Sequence, residues 1–477
     1  MSLSNSWRGF ISSNVSKVGI MFLIVIIGAS VYVLATYPAD FGKRYWNDPT
    51  YWADYPKGAP PAWIKYLAGD NPPEHIILFM KEPSSREIYQ QGLYASIYTA
   101  EFTYNYDDFP SFLSLTMYNI TYYNKPPLVI ASLTRPGDEE VVFFIFYIPS
   151  TPSGENPPYR VFYENPRRVF LSGEAAVWQE VSRFLNDRYG IVLSPSEVGK
   201  VGVEKILFGE PVGDVFRLLK GRYVVRVAFI HSDERDTVSY VKFVMGGKVY
   251  GLAGTDSLGR DLAVGLLFGF PVALLIGVLT STLTTTVGAT LGIVSGYTGG
   301  RTDEAIQRVT DVINNIPLLP ILIFLVFILK PSIWLIISIL IAFGWPGLTI
   351  VVRSMVLQLR SSQLVEAEIA LGASRWRIMF RHILPQIAPF IFAQMIFTTP
   401  AAILAEAALS FLGLGDPSIP TWGQILDYGF RSGGIYTGYW WWIVPPGLLI
   451  VFTSLTFVLL ALGLEPVINP RLRSVKK

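Results

Sequence analysis

Long apolar runs with few charged residues recur along this chain, and they constrain its fold more than any other feature. Each run is about 20 residues long, enough for a helix to cross about 30 Å of hydrocarbon. Because helices satisfy their backbone hydrogen bonds internally, apolar runs of this length fold as helices in a membrane. The sequence predicts six spans, over Val18–Tyr37, Phe270–Tyr297, Val312–Leu329, Ser332–Val352, Gln386–Leu412 and Tyr439–Leu464.

The first run has a rival interpretation as a secretory signal peptide. It is longer than a typical signal core and no clear Ala-x-Ala site follows it, so we interpret residues 1–37 as a short polar end and a retained span. In the second run Gly288, Gly292 and Gly296 recur at four-residue spacing. Small residues at this spacing predict that another helix approaches closely.

Residues 38–250 differ sharply from the rest of the chain and predict a folded soluble domain. Proline pairs and dense aromatic residues replace the apolar runs, and short β-type segments recur. The runs Arg222–Phe229 and Val238–Val244 flank a polar turn, His231–Asp236, and predict a hairpin. Glu174–Tyr189 has a helical pattern. About 210 residues with such patterns exceed any linker, so we expect an inserted α+β domain.

A polar, basic segment over residues 362–385 lies between two apolar runs. Leu364, Ala367 and Leu371 are spaced to share one helix face, Gly372 suits a left-handed turn, and Ser374 can cap a second helix. The second helix has an apolar stripe of Trp376, Met379, Phe380 and Ile383. The segment therefore predicts a helix-turn-helix loop at the membrane surface with one face free to contact a partner.

This loop resembles the EAA loop of ABC importer permeases, which carries Glu-Ala, then a glycine, then Leu-Pro. In that family it forms the coupling helix that docks on a cytoplasmic ATPase, although Glu368 stands where the family usually has alanine. The residues that the resemblance marks for ATPase coupling are Glu366, Ala367, Glu368, Gly372, Ala373, Arg375, Leu384 and Pro385. A bland alternative is an ordinary basic loop of a membrane protein.

Flanking motifs resemble the oligopeptide/dipeptide (OppC/DppC-like) branch of these permeases. They are Gly254–Asp261, Gly296–Gly300 and Glu406–Gly415. The resemblance covers the first span and about residues 251–473, and it says nothing about 38–250. It implies a type I ABC importer permease fold, an α-helical polytopic membrane protein with six spans, in which 251–477 forms the permease core.

The same resemblance implies the partners. They would be a second homologous permease subunit, two ABC ATPase subunits and an extracellular solute-binding protein. No Gly-x-x-x-x-Gly-Lys-Ser/Thr phosphate loop occurs in the chain, so ATP and Mg²⁺ would bind to the partner subunits and no cofactor to this chain. A net charge of +2 does not favour a nucleic-acid partner, and with no cysteine and three histidines we predict no metal site.

We expect the chain to lie in the plasma membrane in contact with its lipid, and the basic residues predict its orientation there. They cluster near the amino end, in the 362–385 loop and in the tail, at Arg471, Arg473, Lys476 and Lys477. By the positive-inside rule both termini and the loop are cytoplasmic, and residues 38–250 are extracellular. Asn119 then heads an accessible Asn-Ile-Thr glycosylation sequon.

Glu406 is an ionisable residue inside an otherwise apolar span, where a charge costs roughly 2–3 kcal/mol or more. Two interpretations remain open: the carboxylate faces the translocation path, or it is hydrogen-bonded between helices as a structural group. The Tyr439–Trp442 cluster predicts an interfacial aromatic belt.

The leading functional hypothesis is a permease subunit of an ATP-driven importer for oligopeptides, with oligosaccharides as the alternative substrate class. A membrane-anchored extracellular enzyme or binding domain is the alternative from another class, supported by the size of the 38–250 domain. An ion-coupled secondary transporter would predict inverted repeats and more buried charge.

Overall fold

The structure is a computed structural model that describes residues 10–11, 13–88, 92–137, 139–152, 154–213 and 215–468. It divides the chain into a membrane unit, Met1–Pro49 with Leu262–Lys477, and a second unit, Thr50–Asp261. The predicted basic tail, Arg471, Arg473, Lys476 and Lys477, lies outside the described residues.

Helices build the membrane unit. In chain order they are α1 Asn14–Thr36, α2 Leu262–Thr298, α3 Gly300–Asn315, α4 Leu318–Leu329, α5 Ile333–Gly344, α6 Pro346–Arg360, α7 Gln363–Ala370, α8 Arg375–Phe411, α9 Trp422–Arg431 and α10 Trp440–Ile468. By length and composition five segments can cross a membrane, with α5 and α6 forming one of them, or up to six if α3 and α4 are counted together.

The predicted third span, Val312–Leu329, is wrong as a continuous helix. Its amino-terminal residues belong to α3, and α3 and α4 meet at a bend of 80°. Pro317 is the N-cap residue of α4 and lacks the backbone N–H that would continue α3. With 12 residues, α4 is about 18 Å long at 1.5 Å per residue.

The glycine stripe of α2 faces α6 and confirms the predicted close approach. A Cβ added at Gly292 would lie 2.7 Å from the Val352 Cβ of α6. One added at Gly288 would lie 2.9 Å from the carbonyl oxygen of Trp345, the residue that precedes α6. The Thr349 hydroxyl also donates to the Gly288 carbonyl at 3.1 Å. Backbone-to-backbone contact of this kind makes α2 and α6 one rigid pair.

Two five-stranded sheets and a short hairpin make up the strands of the second unit. The strands are β1 Ile76–Met80, β2 Ser85–Ile88, β3 Tyr94–Tyr104, β4 Leu113–Tyr122, β5 Leu128–Arg135, β6 Glu139–Tyr147, β7 Tyr159–Val161, β8 Arg167–Phe170, β9 Gly209–Val212, β10 Val215–Leu218, β11 Gly221–His231 and β12 Thr237–Met245. One sheet has the order β1-β12-β4-β7, with β8 also on β4, and the other has the order β2-β3-β11-β5-β6.

One hydrophobic core joins these sheets to helices. Buried side chains of both sheets and of the helix Ala175–Tyr189 belong to the same cluster, which includes Leu115, Phe243, Val227, Phe143 and Val181. The helix confirms the prediction for Glu174–Tyr189, with Glu174 as its N-cap residue and Gly190 ending it at φ +66°. The named strands pair antiparallel, and the helices form a separate run between β8 and β9, which is an α+β arrangement, as the composition indicates.

The predicted hairpin of the 222 and 238 runs is wrong. β11 pairs with β3 and β5, whereas β12 pairs with β1 and β4 in the other sheet. The link between them therefore crosses from one sheet to the other. Each strand gains two hydrogen-bonded neighbours in this way, whereas the predicted hairpin would have paired the two strands with each other in one sheet.

Unit boundaries fall about a dozen residues after the predicted limits of 38 and 250. The segment before Thr50 packs in the membrane unit, where the Trp46 ring contacts Gly265 and Asn47 Nδ2 donates to the Pro417 carbonyl at 2.6 Å. Residues 251–261 instead bond to the beginning of the second unit, since Thr255 N donates to the Ala59 carbonyl at 2.8 Å. These local contacts, invisible in composition, set the boundaries.

A buried polar cluster lies against the first sheet of the second unit. Burial raises the pKa of the Asp54 carboxyl, but bonds and charges from Lys242 and Arg168 outweigh burial and hold that pKa below its usual value. His75 lies beside Tyr55 and Tyr250, with ring centroids 5.6 Å apart in each case. Burial lowers the pKa of His75 to about 4, although the Asp54 charge opposes this shift.

The low pKa of His75 predicts acid sensitivity. Between pH 6.5 and 4 the unfolded chain binds a proton at this histidine and the folded chain does not, so the free energy of unfolding falls as pH falls. We expect a loss of about 2 kcal/mol between pH 7 and 5 from this group. In His75→Leu this part of the loss is absent, as thermal unfolding of the full chain in detergent at both pH values would show. Equal pH dependence in both proteins would contradict the assignment.

Candidate functional site

The 362–385 loop begins with a short helix closed by a left-handed glycine. α7 ends at Ala370, and Gly372 has φ +78°, which confirms the predicted turn. Gly372 N donates to the Ile369 carbonyl and Ala373 N to the Glu368 carbonyl, both at 3.0 Å. This pair of bonds is a Schellman motif, which satisfies the last carbonyls of α7 and reverses the chain.

The returning half of the loop is the start of a long helix. Ser374 caps α8, since its hydroxyl accepts from Arg377 N at 3.4 Å. The helix widens to a π turn over Ile378–Ile383 and then continues to Phe411. Pro385 therefore neither stops this helix nor begins a separate one, and the loop is joined rigidly to the fifth predicted span.

The inner face of the loop packs on the membrane unit. Val365 of α7 is fully buried, and so are Ile378, Met379 and Ile383 of α8. They join one cluster with residues of α2 and α6, namely Ile293, Tyr297, Leu348, Val352 and Val356. Because the loop shares this core, a displacement of the loop is transmitted to α2 and α6.

The outer side of the loop exposes several large apolar side chains, beside the exposed Glu366 and Arg375. Its large side chains, with exposed fractions, are Leu364 52%, Ile369 54%, Leu371 82%, Trp376 63% and Phe380 39%. The Trp376 and Phe380 rings stack, with centroids 5.7 Å apart and planes 12° apart. Large apolar side chains exposed together on one loop are typical of an interaction site.

The predicted α8 stripe of Trp376, Met379, Phe380 and Ile383 is therefore wrong as a single face. Met379 and Ile383 point into the core, whereas Trp376 and Phe380 lie on the exposed side. The stripe was derived from a period of 3.6 residues, and a π turn has a longer period, so the side chains separate.

The remaining predicted coupling residues lie on both sides of the loop. Glu366, Ala367, Arg375 and Pro385 are exposed, and Ala373 and Leu384 are half-buried. Glu368 lies near the second half of the loop, with its Oε1 3.4 Å from His382 Nε2, a contact that becomes an ion pair only when the histidine is protonated.

Glu406 is buried within the membrane unit, with 6% of its surface exposed. Its Oε1 accepts a hydrogen bond from the Ser410 hydroxyl at 2.6 Å, and Thr421, before α9, also bonds to the carboxyl. These partners tie α8 to the segment that precedes α9. In this chain the carboxyl is held between structural elements, and a contact with the translocation path stays a prediction.

The structure places Asn119 in strand β4 and not in an exposed loop. The residue is half-buried, and its φ is +51°. Its Nδ2, the atom that a glycan would modify, donates to the Ser239 hydroxyl at 2.8 Å. Glycosylation of the folded domain would have to place the glycan on a half-buried strand residue whose Nδ2 already makes this bond.

A serine and a histidine of the second unit meet in a way the sequence did not indicate. Ser96 Oγ lies 2.9 Å from His231 Nε2, and His231 Nδ1 lies 2.8 Å from the Asp233 carbonyl oxygen. Ser96 and His231 are each 6% exposed, and the adjoining cavity has about 10 Å³, the room of one water molecule. Ser96 is also paired to β2 and β11 on either side. The pair is a buried structural contact without room for a substrate.

Comparison with known proteins places the loop within a matched region. The family model described as "Binding-protein-dependent transport system inner membrane component" matches residues 288–474. The dipeptide transport system permease protein DppC of Bacillus subtilis (strain 168) is 36% identical over 221 residues, covering 46% of this chain and 68% of that protein. The oligopeptide transport system permease protein OppC of the same organism is also 36% identical over 221 residues, covering 46% and 72%.

Among solved structures, the MetNI methionine ABC transporter in an inward-facing conformation is similar with a TM-score of 0.34 and 18% identity, covering 45% of this chain and 97% of that one. The family model includes the whole 362–385 loop together with the end of α2 and all of α3 to α10. Residues 50–261 lie outside the matched range.

Proposed function

This chain belongs to the OppC/DppC-like family of ABC importer permeases, and we propose that it is the subunit that carries peptides through the membrane and receives its driving force through the 362–385 loop. As a family member it is a transport subunit, a multi-pass membrane protein with the type I importer permease fold. The names of its relatives support peptides as the substrate class, ahead of oligosaccharides.

The observation that carries this proposal is the two-sided loop. Its exposed face, with Leu371 and the stacked Trp376 and Phe380, offers a surface for an ATPase. Its inner face, with Val365 and Met379, lies in the same core as α2 and α6. Movement of a seated ATPase would therefore displace transmembrane helices, which is the requirement of alternating access.

The proposal includes partners and their division of labour. A second permease subunit completes the path, two ATPase subunits bind ATP and Mg²⁺ and hydrolyse the nucleotide, and an extracellular solute-binding protein delivers the peptide. This chain binds no cofactor. The second unit lies outside the cell and docks the binding protein, with a stabilising cap as its alternative role. Its size and its own core support an independent role.

Uptake by the reconstituted complex tests the proposal. The chain is purified with its associated subunits, reconstituted in vesicles with ATP, and supplied with the binding protein and labelled substrates. We expect ATP-driven uptake of short peptides and none of a glucose trisaccharide. Uptake of the trisaccharide alone would replace the substrate class, and the absence of any co-purified ATPase would overturn the importer assignment.

Orientation gives a second, independent prediction. The chain contains no cysteine, so single cysteines report unambiguously. Tyr66 and Leu371 are 79% and 82% exposed, which makes both positions reactive in the folded chain. In intact cells that express this chain without the ATPase subunits, we expect a membrane-impermeant maleimide to label Tyr66→Cys, and to label Leu371→Cys only after permeabilisation. The reverse pattern would invert the predicted topology.

A further inference from the structure

Four polar side chains connect α2, α3 and α6 at the end of these helices that adjoins the loop. Arg353 of α6 donates from Nε and Nη2 to the two carboxylate oxygens of Asp303 in α3, each at 2.6 Å. Ser295 of α2 donates to Asp303 Oδ1 at 2.5 Å, and Gln307 Nε2 donates to the Ser295 hydroxyl at 3.0 Å. We call Ser295, Asp303, Gln307 and Arg353 the three-helix node.

The node is shielded and geometrically specific. The Ser295 side chain is fully buried, and those of Asp303 and Arg353 are 16% and 30% exposed. A guanidinium that donates two parallel bonds to one carboxylate fixes the orientation of both groups, which a lysine cannot do. Partial burial also strengthens the attraction relative to a pair in water. The node therefore resists rotation of α3 against α6.

Its position in the fold gives this rigidity a consequence. α6 ends at Arg360, and the loop follows directly. Next to the node, a Cβ at Gly296 would lie 2.8 Å from the Arg353 carbonyl oxygen, so α2 and α6 are already in close contact. α3 leads through the 80° bend to α4, whose Leu322 packs with Leu340 and Leu409. The node thus joins α2 and α6, which lead to the loop, to α3 and α4, which we call the bent segment.

We propose that Asp303 and Arg353 are positioning residues for coupling: they make α3 and α4 move with α6 and the loop as one body. The bent segment then follows each displacement that an ATPase imposes on the loop. This inference rests on the proposed transport function and adds the route by which motion leaves the loop. Without the node, ATP is still hydrolysed, but α4 no longer follows α6 and less substrate crosses per ATP.

The first test measures rigidity and needs no substrate. Spin labels are placed at Ala305→Cys in α3 and Gln358→Cys in α6, both exposed positions of a cysteine-free chain. We expect a narrow distance distribution in the otherwise native chain, a broad one in Asp303→Ala and Arg353→Ala, and an intermediate one in Arg353→Lys. The lysine variant keeps the charge without the two-bond fork and guards against misfolding of the alanine variants.

The second test measures the number of labelled alanine tripeptides imported per ATP hydrolysed by the reconstituted complex. We expect this ratio to fall roughly fivefold or more in Asp303→Ala, as for a coupling free energy of ordinary size. Glu304→Ala and Arg308→Ala are matched controls. These residues form an ion pair on α3 with Nη2–Oε1 2.6 Å, but their side chains are 61% and 77% exposed, and among the described residues this pair links α3 to no second helix. Both controls should keep the native ratio and the narrow distribution.

An unchanged distance distribution in Asp303→Ala, or an equal loss in the Glu304 and Arg308 controls, would overturn this inference. So would a reduced import rate with an unchanged import-to-ATP ratio, because that result indicates a stability defect alone. Absence of ATP-driven import in the native complex would instead contradict the proposed function, and the distance measurement would still decide whether the node rigidifies the helices.

Discussion

Replacing Gly372 with proline abolishes transport, while the chain still inserts in the membrane. Proline fixes φ near −65° and has no N–H, whereas Gly372 needs φ +78° and donates to the Ile369 carbonyl. The substitution removes the turn between α7 and α8 at a local cost on the order of 3 kcal/mol. ATP hydrolysis that is stimulated by the loaded binding protein should fall to its basal rate, which a phosphate-release assay measures.

Gly433 supplies the matched control for this substitution. It is also left-handed, at φ +74°, its N–H donates to the Phe430 carbonyl at 3.0 Å, and its Cβ position is open, as at Gly372. Gly433→Pro should disturb its own turn without uncoupling hydrolysis from transport. If Gly372→Pro keeps normal stimulated hydrolysis, or if both variants uncouple alike, the loop does not have the coupling role.

A bulky residue at Ala367 should have a similar functional effect through a different cause. Ala367 lies on the exposed side of α7, so Ala367→Trp fits the isolated chain but separates the loop from a seated partner. Ala367→Trp should therefore keep the native unfolding temperature but lose the ATP hydrolysis that the loaded binding protein stimulates.

Substitution of Gly292 by alanine should lower the stability of the membrane unit. The added Cβ would meet Val352 Cβ at 2.7 Å and the Thr349 carbonyl oxygen at 2.8 Å, distances that force α2 and α6 apart. Overpacking of this kind costs about 1–3 kcal/mol. Here it also disrupts the α2–α6 contact on which the loop packs. Thermal unfolding of the purified chain, followed by tryptophan fluorescence, should show a clear decrease in Tm.

Gly28 provides the comparison for Gly292. It lies inside α1 with nothing within 4 Å of an added Cβ. Gly28→Ala should leave the Tm unchanged or raise it, since alanine favours a helix over glycine by about 1 kcal/mol. If the Gly292→Ala protein has the same Tm as the Gly28→Ala protein, α2 and α6 are farther apart than these distances indicate.

Local patterns predicted those elements whose stability is local. The apolar runs, the helix that ends at Tyr189 and the left-handed turn at Gly372 follow from hydropathy, periodicity and the special conformation of glycine. Strands β3 and β4 could not be predicted from continuous apolar runs, because each alternates apolar residues with polar ones.

Features that depend on distant residues could not be predicted in this way. β11 and β12 look like a hairpin because they are close in sequence, but their partners β3 and β4 lie more than 100 residues earlier. The π turn in α8 shifts Trp376 and Phe380 to the exposed side, and no periodicity of the sequence marks it. Asp303 and Arg353 are 50 positions apart, and only the fold brings them together.

Cross-linking from Ala367 tests the account most directly. A single Ala367→Cys in this cysteine-free chain carries a short thiol-to-amine cross-linker in the purified complex. We predict a product with the mass of one copy of this chain and one ATPase subunit, and no such product from Tyr66→Cys in the second unit. A complex in which Tyr66→Cys links to the ATPase and Ala367→Cys does not would contradict the coupling role of the loop.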